Sequence, residues 1–426
     1  MPRRRYRRRR HAEIDDVGDA DMALASDKLT RQQACIEALE RGFVQSYVDL
    51  FYLTHRADPA SEKLAGDVRK DVEVSALDMV FIRDNLSRAE EARRTGAGAG
   101  GESTVFESYA HLAHHFYEKD DSEASTAVYF FDKCAEVAAM SGDPSQQMDA
   151  ARNLGLSYER LADVERAIGF HEEHLSVAAR NGRSDEVKSA NVALVRVYSA
   201  AAAALSVSSD VKLADVVKMR RKQLDAATAA GEITLQGKAF HELGVALVAD
   251  DETDEALTLL ERHLTICDDR DDEAGIAEAH AAMAAAHKQR GEMAAAVVSL
   301  ELLLEVAQRT ANREAHASAC AELGAIATQR GDYGEAMQYF EQHFEIVRQL
   351  QASGDGSQQL LDTARTLLGT AKANLRLQSH LVAVQSNLPA LLRWKQQRTE
   401  VPVATSPRSS PRSPLAGGRT PSSKWA

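Results

Sequence analysis

A pair made of one apolar and one small residue recurs along this chain, always with an alanine twelve positions after its second member. Leu154-Gly155, Leu243-Gly244, Met283-Ala284 and Leu323-Gly324 are followed by Ala167, Ala256, Ala296 and Ala336. In the later copies even the turns match, Gln289-Arg290-Gly291 and Gln329-Arg330-Gly331 standing forty residues apart. Such a spacing has a physical cause. Where the two helices of a hairpin cross closely, each needs a small residue at the crossing, and a chain of hairpins repeats the demand. Weaker copies at Leu112-Ala113, Leu194-Val195 and Leu368-Gly369 extend the series to second members at 113, 155, 195, 244, 284, 324 and 369. The intervals of 42, 40, 49, 40, 40 and 45 predict seven helix pairs, the 49 marking an insertion at the turn around Val207-Ser208-Ser209-Asp210. No proline interrupts the chain between Pro144 and Pro389, as helices require.

The expected fold is therefore all-α: a right-handed superhelical solenoid of about seven helix pairs, with an N-terminal helical segment and disordered ends. Residues 1–27 read as a disordered Arg-rich arm and residues 28–105 as N-terminal helices (28–56 and 72–94) with a Gly-rich linker. Residues 106–398 read as the solenoid and residues 399–426 as a disordered Ser/Pro/Arg tail. The pattern resembles the tetratricopeptide consensus, with its Leu-Gly pair, an aromatic three residues on (Tyr158) and its later alanine. The consensus tryptophan and closing proline are missing from the body, and the period is longer than the usual one.

The net charge of −13 is spread unevenly, since Arg3, Arg4, Arg5, Arg7, Arg8, Arg9 and Arg10 crowd one end. The body is thus more acidic than the whole, which argues against a broad nucleic-acid surface. Four scattered cysteines fit neither a zinc motif nor a disulfide framework, and predict a reduced, cytoplasmic protein. There is no uninterrupted run of 18 apolar residues, so no membrane span is expected.

No catalytic, cofactor-binding or metal-ligating set is expected either. Gly96-Ala97-Gly98-Ala99-Gly100-Gly101 satisfies G-x-G-x-x-G, but it follows a charged helix and not a strand, so it reads as a linker. His111 and His115 share a helix face at a repeat contact position and lack the intervening glutamate of a zincin. His174, His263 and His343 each lie seven residues after a repeat's alanine; recurring at one position, they read as packing devices. The acidic run Asp268–Glu273 lacks the glycine and the distal glutamate of a calcium loop and reads as a solvated turn.

What remains is surface. If the first helices line a concave face, His241 and Val245, Ala281 and Ala285, Ala321 and Ala325 point into it. That small, apolar floor suits an amphipathic helix or an extended segment, unless close packing alone explains it. The arginine arm is an electrostatic hook for an anionic polymer such as tubulin's acidic tails.

Three stretches lie outside the generic consensus: Cys35–Phe51, Phe131-Asp132-Lys133-Cys134, and Asn387–Lys395 with its Leu-Leu-x-Trp-Lys element. Together they resemble the tetratricopeptide repeat protein 29 family of motile cilia and flagella, in order from about residue 30 to 398. The resemblance implies a non-enzymatic axonemal protein needed for flagellar assembly and beating. It also implies partners: an inner-arm dynein heavy chain or docking subunit, and a MYND-finger axonemal protein. The other reading is a cytosolic or cortical adaptor that binds peptide segments of signalling or transport proteins.

Overall fold

The computed structural model describes residues 31–55, 76–96, 99–119, 124–207, 212–354 and 356–397. The Arg-rich arm and the Ser/Pro tail lie outside the described residues. Among the described residues there are seventeen helices and no strand. Three precede the repeats: α1 (Arg31–Glu40), α2 (Val44–His55) and α3 (Ala76–Thr95). The others form seven pairs. These are α4 (Ala99–Lys119) with α5 (Ala124–Ser141), α6 (Pro144–Arg160) with α7 (Val164–Arg180), and α8 (Ser184–Val207) with α9 (Leu213–Ala230). They continue as α10 (Ile233–Ala249) with α11 (Thr253–Asp269), and α12 (Glu273–Gln289) with α13 (Met293–Arg309). The last are α14 (Arg313–Arg330) with α15 (Tyr333–Ser353), and α16 (Gln358–Ser386) with α17 (Leu388–Gln397). Each of the seven second-member positions falls in the first helix of a pair. The chain divides into two compact units, Met1–Ala239 and Phe240–Ala426.

In the first unit the core is aromatic. Tyr109, Phe116, Phe130 and Phe131 from α4 and α5 are buried with Leu50 of α2, Ile82 and Leu86 of α3 and Leu154 of α6. Burial of Phe131 and Cys134 on one face of α5 explains the aromatic-x-x-Cys spacing. The N-terminal segment differs from the single helix expected over 28–56. Gly42, at φ 72, ends α1 and lets the chain turn into α2. The Gly-rich stretch also departs from a free linker: α4 begins at Ala99, so the 105/106 boundary falls inside a helix. A Cβ on Gly96 would lie 2.6 Å from Gly101 Cα, so these glycines serve backbone contact and not flexibility.

α8 has 24 residues against 17 in α6, so part of the inserted length is helix; residues 208–211 lie outside the described residues. It is also the one described helix long and apolar enough to cross a membrane, with a window of mean hydropathy 1.5. Half of that window is buried, and α8 packs against both α7 and α9, so its apolar face is used in the core.

The second unit is built of alanine and leucine, with Ala284, Ala296, Leu300, Leu303, Ala319 and Leu323 in one cluster. Three of its helices start on side-chain caps: Asp272 accepts from Gly275 N–H, Asn312 from Ala315 N–H and Asp332 from Glu335 N–H. The acidic run Asp268–Glu273 thus supplies a helix cap at Asp272 and a left-handed turn residue at Asp271, φ 52. Ala256, Ala296 and Ala336 are fully buried as expected. The residue that faces each small position, however, lies four further on. A Cβ on Gly244 would meet Leu260 at 2.9 Å and one on Gly324 would meet Phe340 at 2.7 Å. In the first unit, Gly155 stands in the same relation to His171, at 2.5 Å.

Candidate docking face

His241 and Val245 on α10, Ala281 and Ala285 on α12, and Ala321 and Ala325 on α14 are all exposed or half-buried. The residues that pack the hairpins from the same helices, Gly244, Ala284 and Gly324, are buried. The six share one register in three successive pairs, but His241 turns its ring toward His263 of its hairpin partner α11. Val245 leaves 45% of its surface in solvent. Lys288 and Glu322 pair along the edge of this row, linking α12 to α14.

The equivalent helices of the first unit carry charge instead. Glu159 of α6 accepts from His171 Nε2 of α7 at 2.7 Å and from Arg196 of α8 at 2.6 and 2.7 Å. His174 Nε2 lies 3.1 Å from Glu186, whose carboxylate also stands 3.7 Å from Arg152. Glu172 accepts from the Tyr198 hydroxyl at 2.6 Å and from Lys222 at 3.2 Å. Burial alone would raise the Glu159 carboxyl, but hydrogen bonds from His171 and Arg196 outweigh it and hold it at about 2.

Since that value lies below the unfolded one of 4.5, the stabilisation is complete above about pH 4.5 and is lost as pH falls toward 2. Discounted for partial exposure, it contributes about 1–2 kcal/mol. Glu159→Gln should lose that amount at pH 7. Urea unfolding of wild type and variant should converge between pH 4.5 and 2, and parallel curves across that range would refute the assignment.

The recurring histidines are buried, as a packing role requires. His343 Nδ1 sits 2.8 Å from the Ala317 carbonyl, and burial depresses its imidazole pKa, as it does for His174. His115 Nε2 is held at 2.8 Å by Asp78 of α3, which also pairs with Lys119; His111 is exposed. The middle copy, His263, behaves differently. Its ring lies 5.0 Å from that of His241, with Cys267 Sγ 3.6 Å from its nitrogens. Burial, and then His263, lowers the His241 pKa. The sequence pattern puts His241 on the docking face and gives no sign of this meeting, because the two residues sit 22 positions apart on different helices.

The tetratricopeptide repeat model matches residues 150–186, 239–274 and 319–352. Those three windows contain Leu154-Gly155, Leu243-Gly244 and Leu323-Gly324, three of the four pairs in which the small residue is glycine; Leu368-Gly369 lies outside them. A curated relative, tetratricopeptide repeat protein 29 of Homo sapiens, is 24% identical over 87% of this chain and 78% of its own. The Trypanosoma brucei brucei protein of the same name is 24% identical over 80% of this chain and 67% of its own. The chain resembles tetratricopeptide repeat protein 29. That similarity runs through the repeats and beyond them, covering far more than the three windows of the generic model. Among solved structures, BtubC from P. vanneervenii is 18% identical, covering 53% of this chain and 89% of that one, with a TM-score of 0.34.

Proposed function

We propose that this chain is a non-enzymatic scaffold of the ciliary or flagellar axoneme that holds inner-arm dynein components in place. The reading rests on one observation above the rest: likeness to tetratricopeptide repeat protein 29 extends over four fifths or more of the chain in relatives as different as man and trypanosome. The chemistry of the fold agrees with a docking role. Stacked hairpins can present such a face, and the row from His241 to Ala325, half-buried or exposed, offers small apolar side chains to a helix or an extended segment. Partners of this kind are an inner-arm dynein heavy chain or docking subunit and a MYND-finger axonemal protein, with tubulin's acidic tails opposite Arg3–Arg10. Motor activity then belongs to the dynein.

Two measurements test the proposal. Detergent-extracted axonemes should retain the protein, and high-salt extraction should release it together with inner-arm dynein. Recovery in the soluble fraction of deciliated cells supports the adaptor reading instead. Separately, Val245→Glu with Ala285→Glu should reduce capture of the axonemal partner by on the order of tenfold or more, because a charge would be desolvated in the contact. Circular dichroism should not change, since both side chains are solvent-exposed. Undiminished capture would remove this face from the mechanism.

A further inference from the structure

Most of what gathers around His263 is foreign to the repeat, and this makes the place informative. His174, His263 and His343 occupy one position in three hairpins. Around His174, the neighbouring first helices carry Arg152 and Ser189; around His343 they carry Ala321 and Thr363. Around His263 the same two positions are His241 and Glu278. Packing does not demand that pair, because the other hairpins pack without it. The ligating atoms of His241 on α10, His263 on α11 and Glu278 on α12 nevertheless all lie within 4.8 Å of one another. His241 Nδ1 is buried and makes no hydrogen bond within the protein.

We propose that His241, His263 and Glu278 form a binding site for a divalent transition-metal ion, zinc being the best fit. Two imidazoles and one carboxylate are the donor set that borderline cations prefer; magnesium and calcium favour all-oxygen sites. Three protein ligands leave a fourth tetrahedral position for water. Zinc–nitrogen bonds of about 2.0–2.1 Å require the donors to close to roughly 3.3 Å. Glu278 is exposed, so its carboxylate has room to change rotamer toward the two imidazoles. His263 is held in place by its burial, and Glu278 gives the ion a path from solvent. The bound ion would join three consecutive helices, fixing the turn from one hairpin to the next at the end of the docking row where His241 stands.

The experiment uses the purified full chain, stripped with chelator and titrated with zinc by equilibrium dialysis, then with cobalt(II) as an optical probe. The expected result is one zinc per chain and the visible absorption of a four-coordinate cobalt site. Glu278→Gln and His241→Gln should each weaken zinc binding by more than the roughly 10- to 100-fold that loss of an outer-shell partner costs, while leaving the helical circular dichroism intact. Cys267→Ser, which alters a neighbour outside the donor set, should bind as the wild type does. Absence of stoichiometric zinc in the wild type overturns the proposal. So does binding that is unchanged in both ligand variants, which would place the ion elsewhere.

Discussion

Replacing Asp49 by alanine should loosen the N-terminal helices from the first hairpin at a cost of about 3 kcal/mol or more. Asp49 is fully buried on α2. Its Oδ2 accepts from the Tyr109 hydroxyl of α4 at 3.0 Å, and its Oδ1 accepts from the Tyr129 hydroxyl of α5 at 2.7 Å. Gln45 Nε2 donates to the same Oδ1 at 2.8 Å from one turn earlier. A carboxylate in that position is tolerable only because its oxygens are taken, and the two phenols are tolerable only because the carboxylate is there. Burial, reinforced by Asp49, pushes the Tyr109 phenol far above its ordinary value, so it stays protonated and keeps donating. Alanine removes the acceptor that both hydroxyls share. Hydrogen exchange should show the amides of residues 31–55 losing protection while α11 to α15 keep theirs. Tyr129→Phe alone should cost about 1–2 kcal/mol, and much less in the Asp49→Ala background, because the partner is already gone. Equal protection in wild type and Asp49→Ala would mean that the N-terminal helices are held by their other contacts, such as the Ser46 hydroxyl on the Leu86 carbonyl.

This junction was invisible in the sequence, and the reason is distance. The tyrosines lie 60 and 80 residues from Asp49, outside any local pattern. The hairpins were legible because the same restriction recurs at one spacing: Gly155, Gly244 and Gly324 stand out since a small side chain is compulsory there. The residues opposite them were not legible. His171, Leu260, Leu300 and Phe340 differ in size and polarity, so their common position leaves no shared letter to read. The same blindness hid the meeting of His241, His263 and Glu278. Each is ordinary on its own helix, and only the stacking of three helices brings them together. The glycines from 96 to 101 misled in the other direction. Composition suggested slack, whereas Gly96 and Gly101 lie in backbone contact.

Position by position, the opposite residue decides what the small site tolerates. Gly324→Ala should therefore destabilise, although alanine is the better helix former by about 1 kcal/mol. Its Cβ would stand 2.7 Å from Phe340 Cε1 and 2.9 Å from Cδ1 and Cζ, against a ring buried on α15 with nowhere to swing. Overpacking of this kind costs about 1–3 kcal/mol, and Gly324→Leu, which drives three more carbons into the ring, should cost about 4 kcal/mol. Gly369 occupies the corresponding place in the seventh pair, yet a Cβ there meets nothing within 4 Å. Gly369→Ala should accordingly stabilise by about 0.5–1 kcal/mol, the same substitution with the opposite sign. One hairpin already shows the solution for a larger small residue, since Ala284 stands opposite Leu300. Phe340→Leu introduced with Gly324→Ala reproduces that pairing. The double variant should be more stable than the two single changes predict together by about 1 kcal/mol or more. Urea unfolding of the four proteins measures the coupling; strict additivity would show that the crossing at Gly324 is not set by the ring of Phe340.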